Sequence, residues 1–218
     1  MLSVVIPALD AAATLPGCLQ ALGSVPDLVV VDGGSRDATR EIARAAGARV
    51  VVSPRGRGVQ LVAGAEAARG EWLLFLHADT RLELDWRRAV KGHFDERPES
   101  AGAFRFRLDD CAWQARVIER GVALRVQLWA LPYGDQGLLI SRRLYDQLGG
   151  YRPLPLMEDV DLVRRIGRRR LAVLPAAAIT SADKWRRDGW GRRSARNLAC
   201  LALHRMGMSP EKVARLYG

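Results

Sequence analysis

An α/β fold, with a mostly parallel central sheet flanked by helices, is the architecture that this 218-residue sequence predicts. Three observations predict it. Apolar runs rich in β-branched and aromatic residues recur at 2–6, 28–31 and 72–76. They are too short for helices and lack the alternation of a half-wet strand, as expected of strands buried on both faces. Between them lie segments whose apolar residues recur at helical spacing. Two of the runs then leave into a carboxylate, Asp32 and Asp79, at the strand ends where an open α/β sheet forms its ligand crevice.

Composition bounds the function classes. With 49% hydrophobic and 27% charged residues the chain is an ordinary globular protein, and one domain over 1–218 is expected. The 34 basic and 24 acidic residues sum to +10, which predicts attraction to anions without choosing among nucleotide, nucleic acid and acidic membrane. Cys18, Cys111 and Cys200 are far apart and odd in number, which suggests buried or free thiols in a reducing compartment. The start has no basic lead or cleavage site, and no run of about 18 apolar residues occurs. A cytoplasmic, non-spanning protein is expected.

Taken in order, the strand at 2–6 is stopped by Pro7, and Thr14 is placed to cap a short helix carrying Leu15, Cys18, Leu19 and Leu22. The strand at 28–31 runs into Asp32-Gly33-Gly34-Ser35-Arg36-Asp37-Ala38-Thr39. Its glycines permit a tight turn, and Ser35 or Asp37 can cap a helix through Ile42 and Ala46. Strand, carboxylate, glycine turn and helix start form a nucleotide-site layout: free N–H groups receive phosphate, and the carboxylate accepts hydrogen bonds from a base or ribose. A plain capping turn is the alternative. A third strand at 49–52 precedes Ser53-Pro54-Arg55-Gly56-Arg57-Gly58 and a helix at 59–68. Arg55 and Arg57, alternating with glycines, suit a diphosphate, because guanidinium forks pair with phosphate oxygens; a solvated basic loop is the alternative. The strand at 72–76 then brings Asp79 to the same edge.

Ser3-Val4-Val5-Ile6-Pro7, Val31-Asp32-Gly33-Gly34-Ser35-Arg36-Asp37-Ala38-Thr39 and Phe75-Leu76-His77-Ala78-Asp79 resemble the family 2 glycosyltransferases. The resemblance runs almost to the C-terminus and is closest to a bacterial branch of short members called selenodomain-associated transferases. It implies a GT-A fold that binds a nucleotide sugar. It also implies that Asp32, with Pro7 and Asp10, meets the base and ribose, and that Asp79 holds a divalent cation bridging the diphosphate. Leu9-Asp10 stands where the family often has Asn-Glu. The family's Asp-x-Asp metal motif reads His77-Ala78-Asp79 here. One carboxylate then serves where two are common; oxygen-rich coordination suits Mg²⁺ or Mn²⁺, and His77 either favours Mn²⁺ or packs beside the site.

In the second half, Asp85 is placed to cap a helix through Val90 to Phe94. Residues 103–108 alternate apolar with basic, as a half-buried strand does, with Arg105 and Arg107 on its wet face. Residues 113–131 read as a long helix whose Trp113, Val117, Leu124, Leu128 and Trp129 cover the sheet near the acceptor cleft. Tyr133-Gly134-Asp135-Gln136-Gly137 breaks it before a strand at 138–141 and a helix at 142–148. This loop resembles the branch's Gly-Asp-Gln-Gly segment, which implies contacts of Asp135 and Gln136 with sugar or acceptor. After Pro153-Leu154-Pro155, the acids Glu158, Asp159 and Asp161 open a helix. The helix dipole alone favours acids there. The match of Glu158-Asp159 to the family's Glu-Asp motif implies more: Asp159 is the general base of inverting transfer, with Glu158 beside it.

Closing strands are expected at 171–174 and 177–180. Residues 181–193 are dense in Arg and Trp. They suit a lid whose cations meet phosphate and whose indoles, Trp185 among them, meet the sugar, or a face resting on acidic lipid headgroups. The Gln-x-x-Arg-Trp motif of larger members is missing, so processive polysaccharide synthesis is not expected. A helix at 194–206, with Leu198, Leu201, Ala202 and Arg205, and a last short helix after Ser209-Pro210-Glu211 suit a dimer face or a membrane-surface face.

The sequence thus predicts a nucleotide-binding half at 1–100, an acceptor half at 101–180 and a basic C-terminal lid with helices at 181–218. The expected activity is metal-dependent, inverting transfer from a nucleoside-diphosphate sugar to a small-molecule or lipid hydroxyl, with no nucleic-acid partner. A homodimer and a peripheral contact at the inner membrane are compatible with it. The rival enzyme is a sugar-phosphate nucleotidyltransferase, which wants a glycine-rich loop where Pro7-Ala8-Leu9-Asp10 stands. The rival of another class is a catalytically silent anion- or membrane-surface-binding module.

Overall fold

The computed structural model describes residues 1–217, without the side chains of residues 204, 205 and 217; the expectation for Arg205 therefore lies outside the described residues. Among the strands are β1 (Leu2–Ala8), β2 (Asp27–Asp32), β3 (Arg49–Val52) and β4 (Trp72–Phe75). They are followed by β5 (Thr80–Leu82), β6 (Ala101–Leu108), β7 (Leu138–Ser141) and β8 (Leu171–Thr180). Together they form one sheet in the order β3-β2-β1-β4-β7-β6-β8-β5. The first four in that order are parallel. From β4 outward the sheet turns mixed: β4–β7, β6–β7 and β5–β8 are antiparallel and β6–β8 is parallel. The parallel part is therefore the half carrying the first three strand exits.

Two cores explain why the early strands read as unbroken apolar runs. Val4 and Ile6 pack with Leu15, Cys18 and Leu22 of α1 (Leu15–Leu22) and with Trp86 and Val90 of α4 (Trp86–Glu96) on one face. Val5 lies on the other face with Leu61 and Ala65 of α3 (Arg57–Ala67), Tyr145 of α6 (Arg142–Gln147), and Leu162 and Ile166 of α7 (Glu158–Ile166). Strands covered on both faces have no polar side to alternate with.

Several local expectations change. α2 (Thr39–Ala45) starts at Ala38, and neither Thr14 nor Asp85 caps its helix through the side chain. Asp37 instead accepts the Thr39 N–H, and Ser35 Oγ accepts the Asp10 N–H. The two closing strands are one, β8, which runs through Pro175 with a register shift opposite Ala103 and Arg105; a proline is tolerated where the ladder is already irregular. β5 has three residues, too few to carry a pattern. Arg105 and Arg107 are exposed, and both pair with Glu83.

α5 (Trp113–Trp129) corrects the expectation most. It does lie over β6, but through Ala115, Ile118 and Val122, which join Phe106, Leu108, Ala182 and Trp185. The residues expected to cover the sheet, Trp113, Val117, Leu124, Leu128 and Trp129, face outward. Both faces of this helix are apolar, so periodicity could not choose between them. The C-terminal segment adds α8 (Asp183–Asp188), α9 (Trp190–Arg205) and α10 (Pro210–Tyr217). Cys200 and Leu201 of α9 pack with Leu131, Val160 and Val213. Cys18 and Cys200 are buried thiols and Cys111 is an exposed one.

Candidate active site

At the exit of β2, Asp32 is fully buried, and its carboxylate accepts the Ser35 N–H at 3.1 Å and the Gly34 N–H at 3.2 Å. It organises its own turn. The exit of β1 is tied to that turn: the Arg36 N–H donates to Asp10 Oδ1 at 2.8 Å, and the Ala11 N–H donates to Thr39 Oγ1 at 2.8 Å. Asp10 itself is exposed and held at φ +47°, a conformation that Asp tolerates better than most residues. Beneath the exits, the buried Gln60 donates from Nε2 to Ala8 O and Val31 O, both at 2.8 Å, which locks the ends of β1 and β2 together next to Pro7. No sequence pattern pointed to Gln60, a single amide in an Ala-rich helix.

A cleft of about 170 Å³ lies beyond the exit of β4, lined by Arg57, His77, Asp79, Asp135 and Asp159 among others. Five segments far apart in sequence meet there. α3 brings Arg57, because Gly58 lets that helix touch the 152–154 backbone: a Cβ on Gly58 would stand 2.6 Å from Leu154 O. Arg57 Nε donates to Glu158 Oε1, and its NH2 stands 3.8 Å from Asp159 Oδ2. Arg55, expected beside it, is exposed and is not among the residues lining the cleft.

α7 brings Glu158 and Asp159 in its first turn, directly after Met157 at φ +66°. A left-handed, non-glycine residue costs on the order of 1–3 kcal/mol and marks a turn that the surroundings over-determine. Asp159 Oδ2 accepts the Gly134 N–H at 2.7 Å and Oδ1 accepts the Val160 N–H at 2.8 Å. Gly134 is needed here, since a Cβ would stand 2.7 Å from His77 Nε2. Glu158 is fully buried, with Oε2 lacking a hydrogen-bond partner. Burial raises its pKa, reinforced by the Asp159 charge and opposed by Arg57.

Asp79 stands at the mouth, and its Oδ2 is held by Lys184 Nζ at 2.9 Å. Burial works against ionising Asp79, but in the acid range where it titrates the protonated His77 and Lys184 outweigh burial and lower its pKa. His77 is pushed down to about 4 by burial and by the Arg57 charge, so it is a neutral imidazole at physiological pH. Asp135 moves the other way, pushed up to about 6 by burial, with Oδ1 buried and unpartnered. Its neighbour Gln136 is turned into the fold, donating to Phe104 O at 2.9 Å and accepting from Arg125 at 3.4 Å.

The far wall is C-terminal. Lys184 and Trp185 of α8, and Arg193, Asn197 and Cys200 of α9, line it. Trp185 packs on Phe106, its Nε1 is buried without a hydrogen-bond partner, and Arg193 stands over its ring at 5.1 Å. Lys184 belongs to the Arg- and Trp-rich segment that the sequence singled out, but its pairing with Asp79 bridges 105 residues and has no local signature. Among the described residues no group of three or more His, Cys, Asp or Glu is arranged to hold a metal. A divalent cation held by one or two carboxylates and completed by substrate phosphates needs fewer protein donors. Asp79, with the unpartnered Asp135 oxygen in the same cleft, supplies donors of that kind.

Comparison with known proteins agrees with this architecture. A structure of Staphylococcus aureus TarS 1–349 with UDP-GlcNAc superposes with a TM-score of 0.64 at 18% identity, over 83% of this chain and 58% of that one. A glucosyl-3-phosphoglycerate synthase from Mycobacterium tuberculosis, solved with Mn²⁺, uridine diphosphate and phosphoglyceric acid, gives a TM-score of 0.58 at 24% identity, over 79% of this chain and 67% of that one. The fold is that of these GT-A enzymes. In sequence, a PGL/p-HBAD biosynthesis glycosyltransferase of Mycobacterium bovis is 39% identical over 93 residues, which are 38% of this chain and 36% of that protein. An undecaprenyl-phosphate 4-deoxy-4-formamido-L-arabinose transferase of Pseudomonas aeruginosa is 32% identical over 148 residues, 58% of this chain and 42% of that protein. The chain thus matches less than half the length of these curated relatives. The family described as Glycosyl transferase family 2 matches residues 3–152, which takes in β1 to β7 and the exits carrying Asp32 and Asp79, and on that match the chain belongs to the family 2 glycosyltransferases.

Proposed function

We propose that this protein transfers a sugar, with inversion, from a nucleoside-diphosphate sugar to a hydroxyl acceptor. The observation that carries the reading is the meeting of Asp79, Asp135, Asp159 and Arg57 in one cleft beyond the β4 exit. Asp159 is the general base. One of its oxygens is fixed by the Gly134 N–H, so the carboxylate is oriented before the acceptor arrives and can take the hydroxyl proton as the oxygen attacks the anomeric carbon. Arg57 and Glu158 position Asp159: the guanidinium, paired with Glu158, holds its positive charge 3.8 Å from Asp159 Oδ2. Asp79, with His77 at its side, would hold a divalent cation, Mg²⁺ or Mn²⁺, which supplies Lewis-acid stabilisation to the leaving diphosphate. Lys184, which pairs with Asp79, would be free to pair with phosphate once a cation bound there.

Asp10 and the Asp32 turn serve the nucleotide. Asp32 acts through the backbone N–H groups it aligns, and Pro7 shapes the β1 exit beside it. Arg55, exposed on the loop before α3, is free to meet the diphosphate from outside the cleft. Asp135 faces sugar or acceptor, Gln136 fixes the loop that carries Asp135, and Trp185 closes over the sugar. The division into a nucleotide-binding half at 1–100, an acceptor half at 101–180 and a C-terminal lid follows from these roles. The relatives' names, one a PGL/p-HBAD biosynthesis glycosyltransferase and one an undecaprenyl-phosphate transferase, favour an acceptor that is lipid-linked.

The test is thermal unfolding with UDP, GDP, CDP and dTDP, each with and without Mn²⁺ or Mg²⁺. A diphosphate at about a hundred times its dissociation constant adds roughly 2.7 kcal/mol, or about 5–11 °C for a chain of this size. A metal-dependent shift with one diphosphate is expected, and no shift with any of them overturns the reading. Asp159→Asn is expected to keep that shift and lose transfer by about a thousandfold; weaker nucleotide binding with normal turnover would remove Asp159 from the role.

A further inference from the structure

α5 is apolar on two opposite faces, and only one of them is covered. Trp113, Val117, Leu124 and Leu128 lie within an arc of about 60° on the helix, and are 71%, 53%, 54% and 50% exposed. The inward face, Ala115, Ile118 and Val122, already packs on Phe106, Leu108 and Trp185. A ridge of four large apolar side chains along some 22 Å of one helix is a patch, unlike the scattered exposed residues that any soluble surface carries. The acids near it are paired, Asp109 with Arg81 and Asp110 with Arg186. Arg120 is exposed on the ridge's margin. The helix's lone acid, Glu119, is neutralised by Arg116 at 2.7 Å. The basic run Arg168, Arg169 and Arg170 abuts the C-terminal end of α5, where Arg168 donates to Leu128 O at 2.9 Å and Gln127 O at 3.2 Å.

We infer that this ridge docks on an anionic phospholipid bilayer. A helix lying in the interface plane needs an apolar face with an aromatic anchor and flanking arginines, and α5 offers Trp113 on the ridge with arginines beside it. The +10 net charge adds long-range attraction to such a surface. A second copy of the chain would bring the same arginines against one another, which disfavours it as the occupant. The helix that carries the docked face also leads into the site. α5 ends at Trp129, and four and six residues on, past Ala130 in left-handed conformation, Tyr133 and Asp135 line the cleft. Arg125 braces that junction, donating to Leu131 O at 2.9 Å with its guanidinium 3.5 Å above the Tyr133 ring. A lipid-borne acceptor in the same bilayer would reach the cleft without leaving it; this last step alone rests on the transferase reading.

The experiment is co-sedimentation of the full chain with vesicles of phosphatidylcholine alone, or of phosphatidylcholine mixed with phosphatidylglycerol, at low and high salt. Size-exclusion chromatography and thermal unfolding run in parallel. The expected result is binding to the mixed vesicles only, weakened by salt. The triple variant Trp113→Ala, Leu124→Ala and Leu128→Ala should lose at least about tenfold in partitioning, and Arg120→Ala about fivefold, with Tm nearly unchanged because these side chains are exposed. Three outcomes would each overturn the inference. The first is no preference for anionic vesicles. The second is unchanged binding of the triple variant, with loss instead in Leu198→Ala and Leu216→Ala on α9 and α10. The third is a native dimer that the triple variant dissolves, which would make the ridge a contact between copies. None of these touches the nucleotide-dependent thermal shift, so failure of the transferase reading would show separately.

Discussion

Asp79 and Asp135 carry the sharpest residue-level predictions, since each is held in a state that a single substitution reverses. An ammonium and a divalent cation cannot share Asp79 Oδ2, where Lys184 Nζ stands at 2.9 Å. Lys184→Met is therefore expected to tighten binding of Mn²⁺ alone by about fivefold, the worth of one partly exposed ion pair, read from the free-ion signal in electron paramagnetic resonance. Unchanged Mn²⁺ affinity would show that the cation does not bind at Asp79. Asp135 is pushed up to about 6 by burial. The folded chain thus holds this proton more tightly than the unfolded chain, and stability falls as pH rises from about 4 to about 6. Asp135→Asn removes that loss. It is expected to be more stable than the native chain by roughly 3 kcal/mol above pH 6, the gap closing below pH 4. Urea titrations across that range check it, and a gap that persists at low pH would mean that the gain does not come from removing the ionised carboxylate.

Elements were legible in the sequence to the extent that their pattern was local. The parallel strands announced themselves because Val4, Val5 and Ile6 face two cores at once. Asp79 and the Glu158-Asp159 pair stood out at element ends, where polar residues interrupt apolar runs. Two things were hidden. The outward ridge of α5 was read as core because Val117 and Val122 are equally apolar, and only the third dimension says which one meets Phe106. The ion pairs Arg57–Glu158 and Lys184–Asp79 link residues about a hundred apart, which no spacing encodes. What joins the two scales is the fit of α3 against the 152–154 segment. A Cβ at Gly58 would meet the backbone atoms Leu154 O, Leu154 N and Arg152 O at 2.6–2.8 Å, and backbone cannot rotate away as a side chain does. Gly58→Ala is expected to cost about 1–3 kcal/mol, lowering Tm by about 2–10 °C, and to lose transfer beyond what stability explains, because Arg57 and α7 move apart. A variant with native Tm and turnover would show that this contact does not set the site.

For the molecule as a whole, the deciding quantity is the size of the cleft. About 170 Å³ is smaller than the roughly 300–1,000 Å³ of pockets that enclose ligands of nucleotide size. Such a cleft does not enclose a whole donor, so either one wall moves or much of the donor lies outside it along the β1 and β2 exits, and the walls differ in what holds them. Asp79, Asp135 and Asp159 sit on the sheet exits and on α7, backed by two continuous cores. The opposite wall, α8 with the start of α9, is attached by the Lys184–Asp79 and Arg186–Asp110 pairs, whose cations are half exposed, and by the small cluster around Trp185. Exposed pairs contribute little to stability, so this wall opens at a fraction of the global unfolding free energy. Hydrogen exchange measures that directly. Amides of α8 and of the first turns of α9 are expected to exchange orders of magnitude faster than those of β1, β2 and β4, and to slow on adding the stabilising diphosphate with Mn²⁺ while the sheet amides hardly change. Exchange of α8 at the rate of the sheet, with or without nucleotide, would make the C-terminal segment a fixed wall, and the donor would then have to enter along the β1 and β2 exits beside Asp10.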